Sequence, residues 1–227
     1  MATDLRRRLG ATRVGRILRR ARRALRSSPW ATDRRRAATR RQWVADGSQV
    51  PAPPMVKHGE VVAYTGGRGP HVFIETGTLR GDTIEAVRRR VDRVVSIELS
   101  PELAVAARMR FADNPEVTIL EGDSGKVLPH LIDDLDEPAV FWLDGHFSAG
   151  PTARADLDTP IVEELEAVLT HDRDDHVVLI DDARLFGTGD YPTIDQVRAQ
   201  VARHRPHWQV YVHTDIIRAH RPDVHPR

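Results

Sequence analysis

The sequence predicts an α/β fold in which a doubly wound, mostly parallel sheet ends in a C-terminal antiparallel hairpin. From residue 70 onward, short apolar runs rich in β-forming residues alternate with segments of helical period, which is the pattern of βα units that build a parallel sheet. The last apolar segment, WQVYVHTDIIRAH (208–220), predicts two strands that meet near Thr214 and Asp215. The five earlier runs are HVFIET (71–76), RVVSIEL (93–99), VTILEGD (117–123), AVFWLDG (139–145) and HVVLIDD (176–182).

The segments between the runs carry helix-start signals. Ser100 and Pro101 provide an N-cap and a first-turn proline, and Thr159 and Pro160 repeat that combination. Ser and Thr side chains cap helix N-termini, and proline fits the first helical position. A last helix is expected over 193–204. Each of these segments has one apolar face that can pack on the sheet.

The first 50 residues differ from the rest of the chain in charge. They contain 15 arginines and three acidic residues, a formal charge of +12, whereas the remainder carries −11. Few large apolar side chains accompany these arginines, so the segment predicts a solvated arm that is partly helical or disordered. Contact of this arm with nucleic acid or anionic lipid is the alternative interpretation.

The domain organisation follows from this charge division and from VPAPP (50–54), which is typical of a linker. We expect an arm over 1–50, a linker and lead-in helix over 51–69, a folded domain over 70–221 and a tail over 222–227. Only Lys57 and Lys126 of the 34 basic residues are lysines, a bias that indicates a GC-rich genome.

Several classes of protein are disfavoured by composition. The chain has no cysteine, which excludes disulfide frameworks and thiolate metal sites. No apolar run approaches the roughly 20 residues that span a bilayer, and the N-terminus lacks the apolar stretch of a secretory signal. The sequence therefore predicts a soluble cytoplasmic protein, and it leaves open whether copies of the chain associate.

Carboxylates close all five predicted strands. One acid at a strand end is usually a turn former or a helix cap. Six acids at one edge of a sheet repel one another and need cations or hydrogen-bond donors, and ligands of parallel α/β sheets bind at this edge. The six are Glu75, Glu98, Asp123, Asp144, Asp181 and Asp182.

The first predicted strand leads into ETGTLRG, in which Gly77 and Gly81 precede a helix. Glycine there permits a tight turn and the close approach of a ligand. Glu98 follows Glu75 by 23 residues, at the position where an acid commonly accepts the hydroxyl groups of an adenosine ribose. Together these features predict a nucleoside ligand, although Gly77 read alone is also compatible with an ordinary turn glycine.

Residues 70–221 resemble the class I S-adenosylmethionine-dependent methyltransferases, which have a Rossmann-like fold. The resemblance rests on E-x-G-x-x-x-G at 75–81, on Glu98 and on EGDS at 121–124. It implies that Glu98 holds the ribose of the cofactor S-adenosyl-L-methionine and that Asp123 and Ser124 flank the adenine. The residues implied to wrap the methionine part are Glu75, Thr76, Gly77, Thr78 and Gly81.

Asp144, Asp181 and Asp182 end two strands that are expected to be neighbours. Three carboxylates form a hard oxygen site that suits Mg²⁺, and Mn²⁺ or Ca²⁺ fits the same ligands. The arrangement resembles the metal-dependent O-methyltransferases of the catechol type and of the macrocin or aminocoumarin sugar type. That resemblance implies that the three acids bind the metal, with Asp144 counted among the catalytic residues, and that His146 is the base. A fourth metal ligand and a capping residue are the alternative roles of His146.

Other polar residues near these strand ends are less specific. Arg184 is expected to pair with the clustered acids or with an anionic substrate group. Asp156 and Asp158, in the loop 147–158, are expected to contact a polar substrate or to lie in a solvated loop. The remaining histidines show no metal-ligand spacing and are expected at the surface or at a sheet edge; they include His171, His176, His204, His207, His213 and His220.

The leading hypothesis is a Mg²⁺-dependent O-methyltransferase that acts on a hydroxyl group of a small molecule, such as a sugar or a diol of a natural product. One alternative is a metal-independent methyltransferase that acts on an amine or a polymer. Another is a non-catalytic protein of the same fold whose arm binds anions. Nucleic acid or lipid is expected to bind only through the arginine-rich arm.

Overall fold

The computed structural model describes residues 29–67, 69–144 and 159–226. His146, the loop 147–158 and residues 1–28 of the predicted arm lie outside these ranges. The chain divides into two compact units, Met1–Ser48 and Gln49–Arg227. No helix in the described ranges is both long enough and apolar enough to span a bilayer.

The first unit contains one described helix, α1 (Pro29–Ala45). The side chains described in residues 32–48 are exposed or partly exposed, and none is buried. Within this helix Arg36 pairs with Asp33 at 3.0 Å. The described part of this unit therefore contributes no buried apolar side chain.

The second unit alternates strands with helices after an initial helix. Its strands are β1 (Val72–Thr76), β2 (Arg93–Glu98), β3 (Val117–Glu121), β4 (Ala139–Leu143), β5 (Val177–Ile180), β6 (Gln209–His213) and β7 (Ile216–His220). Its helices are α2 (Pro54–Val62), α3 (Asp82–Val87), α4 (Pro101–Arg110), α5 (Ser124–Ile132), α6 (Ile161–Thr170) and α7 (Ile194–His204), with a 3₁₀ turn at Ala183–Leu185.

The strands form a seven-stranded sheet in the order β3-β2-β1-β4-β5-β7-β6. Strands β1 to β5 are parallel, whereas β7 is antiparallel to both β5 and β6. The predicted doubly wound sheet with a terminal hairpin is thus confirmed. Because the order reverses at β1 and β4, their carboxyl ends border the crevice where such sheets bind ligands.

Two apolar clusters cover the two faces of the sheet. Successive residues of β1 contribute to opposite clusters, Phe73 to one and Ile74 to the other, as the two-residue period of a strand requires. Helices α5, α6 and α7 pack with Ile74, and α2, α3 and α4 pack with Phe73. Strands β1, β4 and β5 are buried along their whole length, as expected for central parallel strands.

The predicted helix starts are largely correct. Ser100 caps α4, its Oγ accepting from Leu103 N at 3.4 Å, and Pro101 is the first helical residue. Helix α6 begins at Ile161, one residue later than Thr159 and Pro160 suggest. Thr193 caps α7 through a reciprocal capping box with Gln196, an arrangement that satisfies two backbone donors.

The turn of the hairpin lies where it was predicted. Thr214 and Asp215 both have left-handed backbone angles, φ +57° and +61°, as a two-residue turn between twisted strands requires.

The prediction that His176 and His220 lie at the surface or at a sheet edge is wrong, because both are completely buried. His176 Nδ1 accepts from Ala139 N at 3.1 Å, and the His220 ring packs against Tyr64 at 5.4 Å.

Candidate active site

The turn after β1 depends on glycine at both predicted positions. Gly77 has φ +82°, and a Cβ there would lie 2.6 Å from the carbonyl oxygen of Asp144. Gly81 has φ +71°, and its Cβ would lie 2.6 Å from the ring of Phe111. Both contacts are internal to the protein. The tight turn and the packing of the chain therefore suffice to explain glycine at both positions, without the approach of a ligand.

Glu75 lies at the end of β1 and is almost fully buried. Its Oε1 accepts from Ser96 Oγ at 2.7 Å, and the Ser96 hydroxyl is hydrogen bonded to Thr78 Oγ1 at 2.5 Å. Its Oε2 has no hydrogen-bond partner among the described residues. Burial raises the pKa of Glu75 to about 8, with additional contributions from the charges of Asp144 and Glu98, although the Ser96 hydroxyl opposes this rise.

Glu98 holds the turn from its position at the end of β2. Its Oε2 accepts from Leu79 N at 2.8 Å, and its Oε1 accepts from Ser100 N at 3.0 Å. Leu79 has a left-handed φ of +47°, which is unfavourable for a branched residue and is stabilised here by this hydrogen bond. A carboxylate has about four acceptor positions, so Glu98 retains capacity for hydroxyl donors of a ligand.

Three further predicted cofactor residues also have structural contacts. Thr76 Oγ1 accepts from Asp144 N at 3.2 Å, which ties the end of β1 to the end of β4. Asp123 caps α5, accepting from Gly125 N at 3.1 Å, and pairs with Lys126 at 3.1 Å. Ser124 is the first residue of α5. The structure brings these residues to the same edge of the sheet as Glu75 and Glu98.

Glu164 on α6 is a buried carboxylate that was not predicted as a site residue. It is completely buried, and neither carboxylate oxygen meets hydrogen-bond geometry with a described residue. Burial raises the pKa of Glu164 to about 7, against the opposing effect of the nearby Ser124 and Thr76 hydroxyls. The signal was its spacing, because Glu164 lies three residues after Ile161 on the buried face of α6.

The ends of β4 and β5 carry the second part of the site. Lys57 Nζ on α2 lies 2.5 Å from Asp181 Oδ1 and 2.5 Å from Asp182 Oδ1. It also lies 3.9 Å from Asp215 Oδ2 in the hairpin turn. Arg184 Nη1 contacts Asp182 Oδ1 at 2.5 Å and also pairs with Asp215. The expected pairing of Arg184 with the clustered acids is therefore present.

Asp144, Asp181, Asp182 and Asp215, with Lys57 and Arg184, are called the acid cluster below. The acids of this cluster differ in their proton affinity. Burial, together with the charges of Asp181 and Asp182, raises the pKa of Asp144 to about 7. Burial also raises the pKa of Asp181 to about 6, although Lys57 opposes the rise. For Asp182 burial is outweighed by hydrogen bonds from Arg184 and Lys57, so its pKa lies below the ordinary value. Asp144 thus exchanges its proton closest to neutral pH.

The described residues do not fit the predicted magnesium ion. No group of three His, Cys, Asp or Glu side chains within the described ranges has an arrangement that could hold a metal. The Lys57 ammonium contacts the same oxygens of Asp181 and Asp182 that a metal would need.

Lys57 and Asp215 were not predicted as site residues. Lys57 lies in a helix before the predicted domain, and Asp215 lies in a turn.

A surface cleft of about 460 Å³ is bordered by Gly59 and Val62 of α2. It is bordered by the segment before β1 and by Arg89 and Arg90, which precede β2, and thus lies toward the amino ends of these strands. None of the predicted site residues lines it. We therefore do not assign the cofactor to this cleft.

Solved structures with the same fold include methyltransferases. An O-methyltransferase from Bacillus cereus in complex with S-adenosylhomocysteine (SAH) is 17% identical, with a TM-score of 0.53, and the match covers 82% of this chain and 90% of that one. SAH-bound methyltransferase PaMTH1 from Podospora anserina is 16% identical, with a TM-score of 0.50, and the match covers 85% and 88% of the two chains.

The comparison by sequence is more limited. A segment of 63 residues is 36% identical to ribosomal RNA small subunit methyltransferase A of Acidobacterium capsulatum, covering 28% of this chain and 22% of that protein. No protein-family model matches the chain. The class defined by the strand order and by these structural matches is the class I S-adenosylmethionine-dependent methyltransferase fold. This chain has that fold, and both of these solved structures are methyltransferases.

Proposed function

We propose that this protein is an S-adenosylmethionine-dependent O-methyltransferase that methylates a hydroxyl group of a small molecule, such as a sugar or another diol of a natural product. The observation that carries the cofactor assignment is the buried Glu75 carboxylate with an unpartnered Oε2. Leaving a buried acceptor without a donor is unfavourable. The ammonium group of the methionine part of the cofactor would supply that donor.

The remaining residues of the β1 and β2 ends also fit this cofactor. Glu98 orders the turn through Leu79 and Ser100, and its free acceptor positions suit the ribose hydroxyls. Asp123 and Ser124 would flank the adenine. When bound, the cofactor supplies a methyl group on a sulfonium, which is an electrophile that needs no further activation by the protein.

The protein must orient the acceptor hydroxyl and remove its proton. Asp144 lies at the end of β4, next to β1, where Thr76 ties the two strands together. With a pKa raised to about 7 by burial and by Asp181 and Asp182, its carboxylate can accept a proton near neutral pH. His146, the base predicted from the resemblance, follows two residues later and lies outside the described residues.

Binding of SAH tests the cofactor assignment. We expect calorimetric titration to give micromolar affinity for the wild-type protein and a loss of about tenfold or more for Glu75→Gln, since a hydrogen bond to a charged group contributes about 1.5–3 kcal/mol. Glu137→Gln is the matched control, because Glu137 is exposed in the turn before β4. Absence of binding to the wild-type protein at micromolar concentrations would contradict the proposal.

Turnover tests the acceptor class. Methyl transfer from labelled cofactor to a panel of sugars and diols should be detectable, and Asp144→Ala should abolish it while leaving SAH affinity nearly unchanged. The same assay with and without EDTA tests the magnesium requirement that the sequence predicts. Cofactor binding without transfer to any acceptor would instead support a non-catalytic protein of this fold.

A polymer acceptor is the second candidate function. It is favoured by the 36% identical segment shared with a ribosomal RNA methyltransferase and by the arginine-rich first 50 residues. Label incorporated into RNA, with no transfer to small hydroxyl compounds, would establish it. Loss of that incorporation at raised salt would indicate arginine–phosphate contacts, which weaken steeply with salt, and its loss on removal of residues 1–48 would identify the arm as the contact.

A further inference from the structure

A positively charged side chain of the protein, that of Lys57, already lies among the acidic residues at the ends of β4 and β5. Lys57 reaches them from α2, and its Nζ lies at 2.5 Å from one carboxylate oxygen of each of Asp181 and Asp182. The ammonium therefore occupies the space between these two carboxylate oxygens. Lys126, the other lysine of the chain, is exposed and pairs with Asp123 at the end of β3.

Lys57 is held there as a buried ammonium. The residue is 8% exposed, and a buried charge of this kind is stable only when it is paired. Burial lowers the pKa of Lys57, but Asp181 and Asp182 more than offset this effect, and the pKa lies above its ordinary value. Lys57 is therefore a cation held by two carboxylates.

Arg184 is the second positively charged side chain that offsets the negative charge of these acids. Arg184 contacts Asp182 Oδ1 and pairs with Asp215. Two carboxylates, Asp182 and Asp215, thus share Arg184, whereas Asp181 and Asp182 share Lys57. Asp144 has no ion pair of its own among the described residues, and it is the member of the cluster that lies next to the β1 turn.

Lys57 and a divalent ion are mutually exclusive at this position. Mg²⁺ requires oxygen ligands at about 2.0–2.1 Å in near-octahedral geometry. Asp181 Oδ1 and Asp182 Oδ1 are engaged by the Lys57 ammonium, and an ion placed between them would lie against that ammonium. Entry of a metal would require Lys57 to leave its partners and remain buried without them, which is unfavourable.

We propose that Lys57 is a built-in replacement for the metal, a positioning residue that fixes Asp181 and Asp182 and supplies positive charge at the acceptor site. Methyl transfer by this protein then requires no divalent ion. The last statement rests on the proposed function, whereas the exclusion of metal by Lys57 does not. The proposal also predicts that removal of the ammonium leaves the oxygens of Asp181 and Asp182 free to bind a divalent ion.

Binding of Mn²⁺, followed by electron paramagnetic resonance, tests the proposal without any activity measurement. The wild-type protein should bind no Mn²⁺ at this site at submillimolar concentrations. Lys57→Met should gain affinity by at least about tenfold, a change of about 1.4 kcal/mol, and Lys57→Met/Asp181→Asn should lose that gain. Lys57→Arg, which keeps the charge, should behave like the wild-type protein.

Two results would overturn the proposal. One is Mn²⁺ binding by the wild-type protein that Asp181→Asn abolishes. The other is a folded Lys57→Met protein, judged by circular dichroism, that gains no Mn²⁺ affinity. If Lys57→Met does not fold, the wild-type and Asp181→Asn titrations decide the question alone. Where turnover is detected, EDTA should leave the wild-type rate unchanged; absence of turnover counts against the proposed function only, since the titrations do not depend on it.

Discussion

Glu75 combines burial with an incomplete set of hydrogen bonds. One of its oxygens is bonded to Ser96 and the other has no described partner. Burial without a donor for the second oxygen disfavours ionisation of the Glu75 carboxyl in the folded protein. A carboxyl kept in this state is a cost to the fold, and binding of a cationic ligand would remove that cost.

The pH dependence of stability should reveal this cost. The folded pKa of Glu75, about 8, lies above its ordinary value of 4.5, so the unfolded chain releases the proton first as pH rises. The contribution of Glu75 therefore lowers the free energy of unfolding progressively between about pH 4.5 and pH 8. Glu75→Gln should be more stable than the wild-type protein at pH 8 by about 4 kcal/mol, at about 1.4 kcal/mol per unit, and equal to it near pH 4.

Urea denaturation at the two pH values measures the difference. Glu137→Gln, at an exposed position, should change neither value. A Glu75→Gln protein that is no more stable than the wild-type protein at pH 8 would show that the buried carboxyl is not a cost to the fold.

Gly77 allows a second test at this scale. Gly77→Ala should destabilise the fold by about 2–4 kcal/mol, because the residue has φ +82° and its Cβ would lie 2.6 Å from a backbone carbonyl oxygen. Gly59→Ala is the control, since Gly59 lies within α2 with no atom within 4 Å of an added Cβ, and should be neutral or stabilising by up to about 1 kcal/mol. Thermal unfolding compares the two, and similar losses would contradict the steric argument.

Among the secondary-structure elements, α2 has the most consequence for the site. It contributes Lys57 to the acid cluster and Glu60 to a buried pair with Arg218 of β7 at 2.7 Å. Arg218 is only 2% exposed and also lies 5.8 Å from the ring of Tyr211 in β6. The hairpin thus anchors the helix that carries Lys57.

A double-mutant cycle on Glu60 and Arg218 tests this anchoring. Glu60→Met should destabilise the protein by about 3 kcal/mol because it leaves a buried guanidinium without its counter-ion, whereas Glu60→Met with Arg218→Met should cost less than the sum of these two single changes. The exposed pair of Arg203 and Glu166, at 2.8 Å, is the control and should contribute about 0.5 kcal/mol or less. Strict additivity at Glu60 and Arg218 would contradict a coupling between α2 and the hairpin.

At the scale of the whole molecule, the two compact units suggest separate roles. Unit Gln49–Arg227 contains the complete sheet and all of the described site residues. Unit Met1–Ser48 carries a formal charge of +12, whereas the remainder of the chain carries −11. We interpret Gln49–Arg227 as the unit that forms the sheet and the candidate site. We interpret Met1–Ser48 as a segment available for anionic partners.

Removal of residues 1–48 tests this division. The fragment 49–227 should keep its thermal midpoint and SAH affinity, because the described core lies within it. Binding to RNA or to anionic vesicles, measured between about 50 and 200 mM salt, should be strong and steeply salt dependent for the full chain only. A fragment that binds these ligands as well as the full chain would place the anion-binding surface elsewhere.

Sequence alone determined the elements of this protein and the edge of the sheet where its polar residues lie. Strand and helix positions follow from apolar periodicity, capping residues and turn formers, which act over a few neighbouring positions. The parallel arrangement of β1 to β5 then places Glu75, Glu98, Asp123, Asp144 and Asp181 at one edge without any knowledge of side-chain contacts. The hairpin at Thr214 and Asp215 is predictable for the same local reason.

Only the tertiary structure decided what neutralises those acids. Lys57 and Asp182 are 125 positions apart, and their contact depends on how α2 packs beside the hairpin, which no local period encodes. Three carboxylates read along the sequence indicate a metal ligand set, whereas in the folded protein an ammonium from a distant helix lies between two of them. Charge compensation is a property of three-dimensional packing, because a buried carboxylate responds to the nearest cation in space and not to the nearest one along the chain.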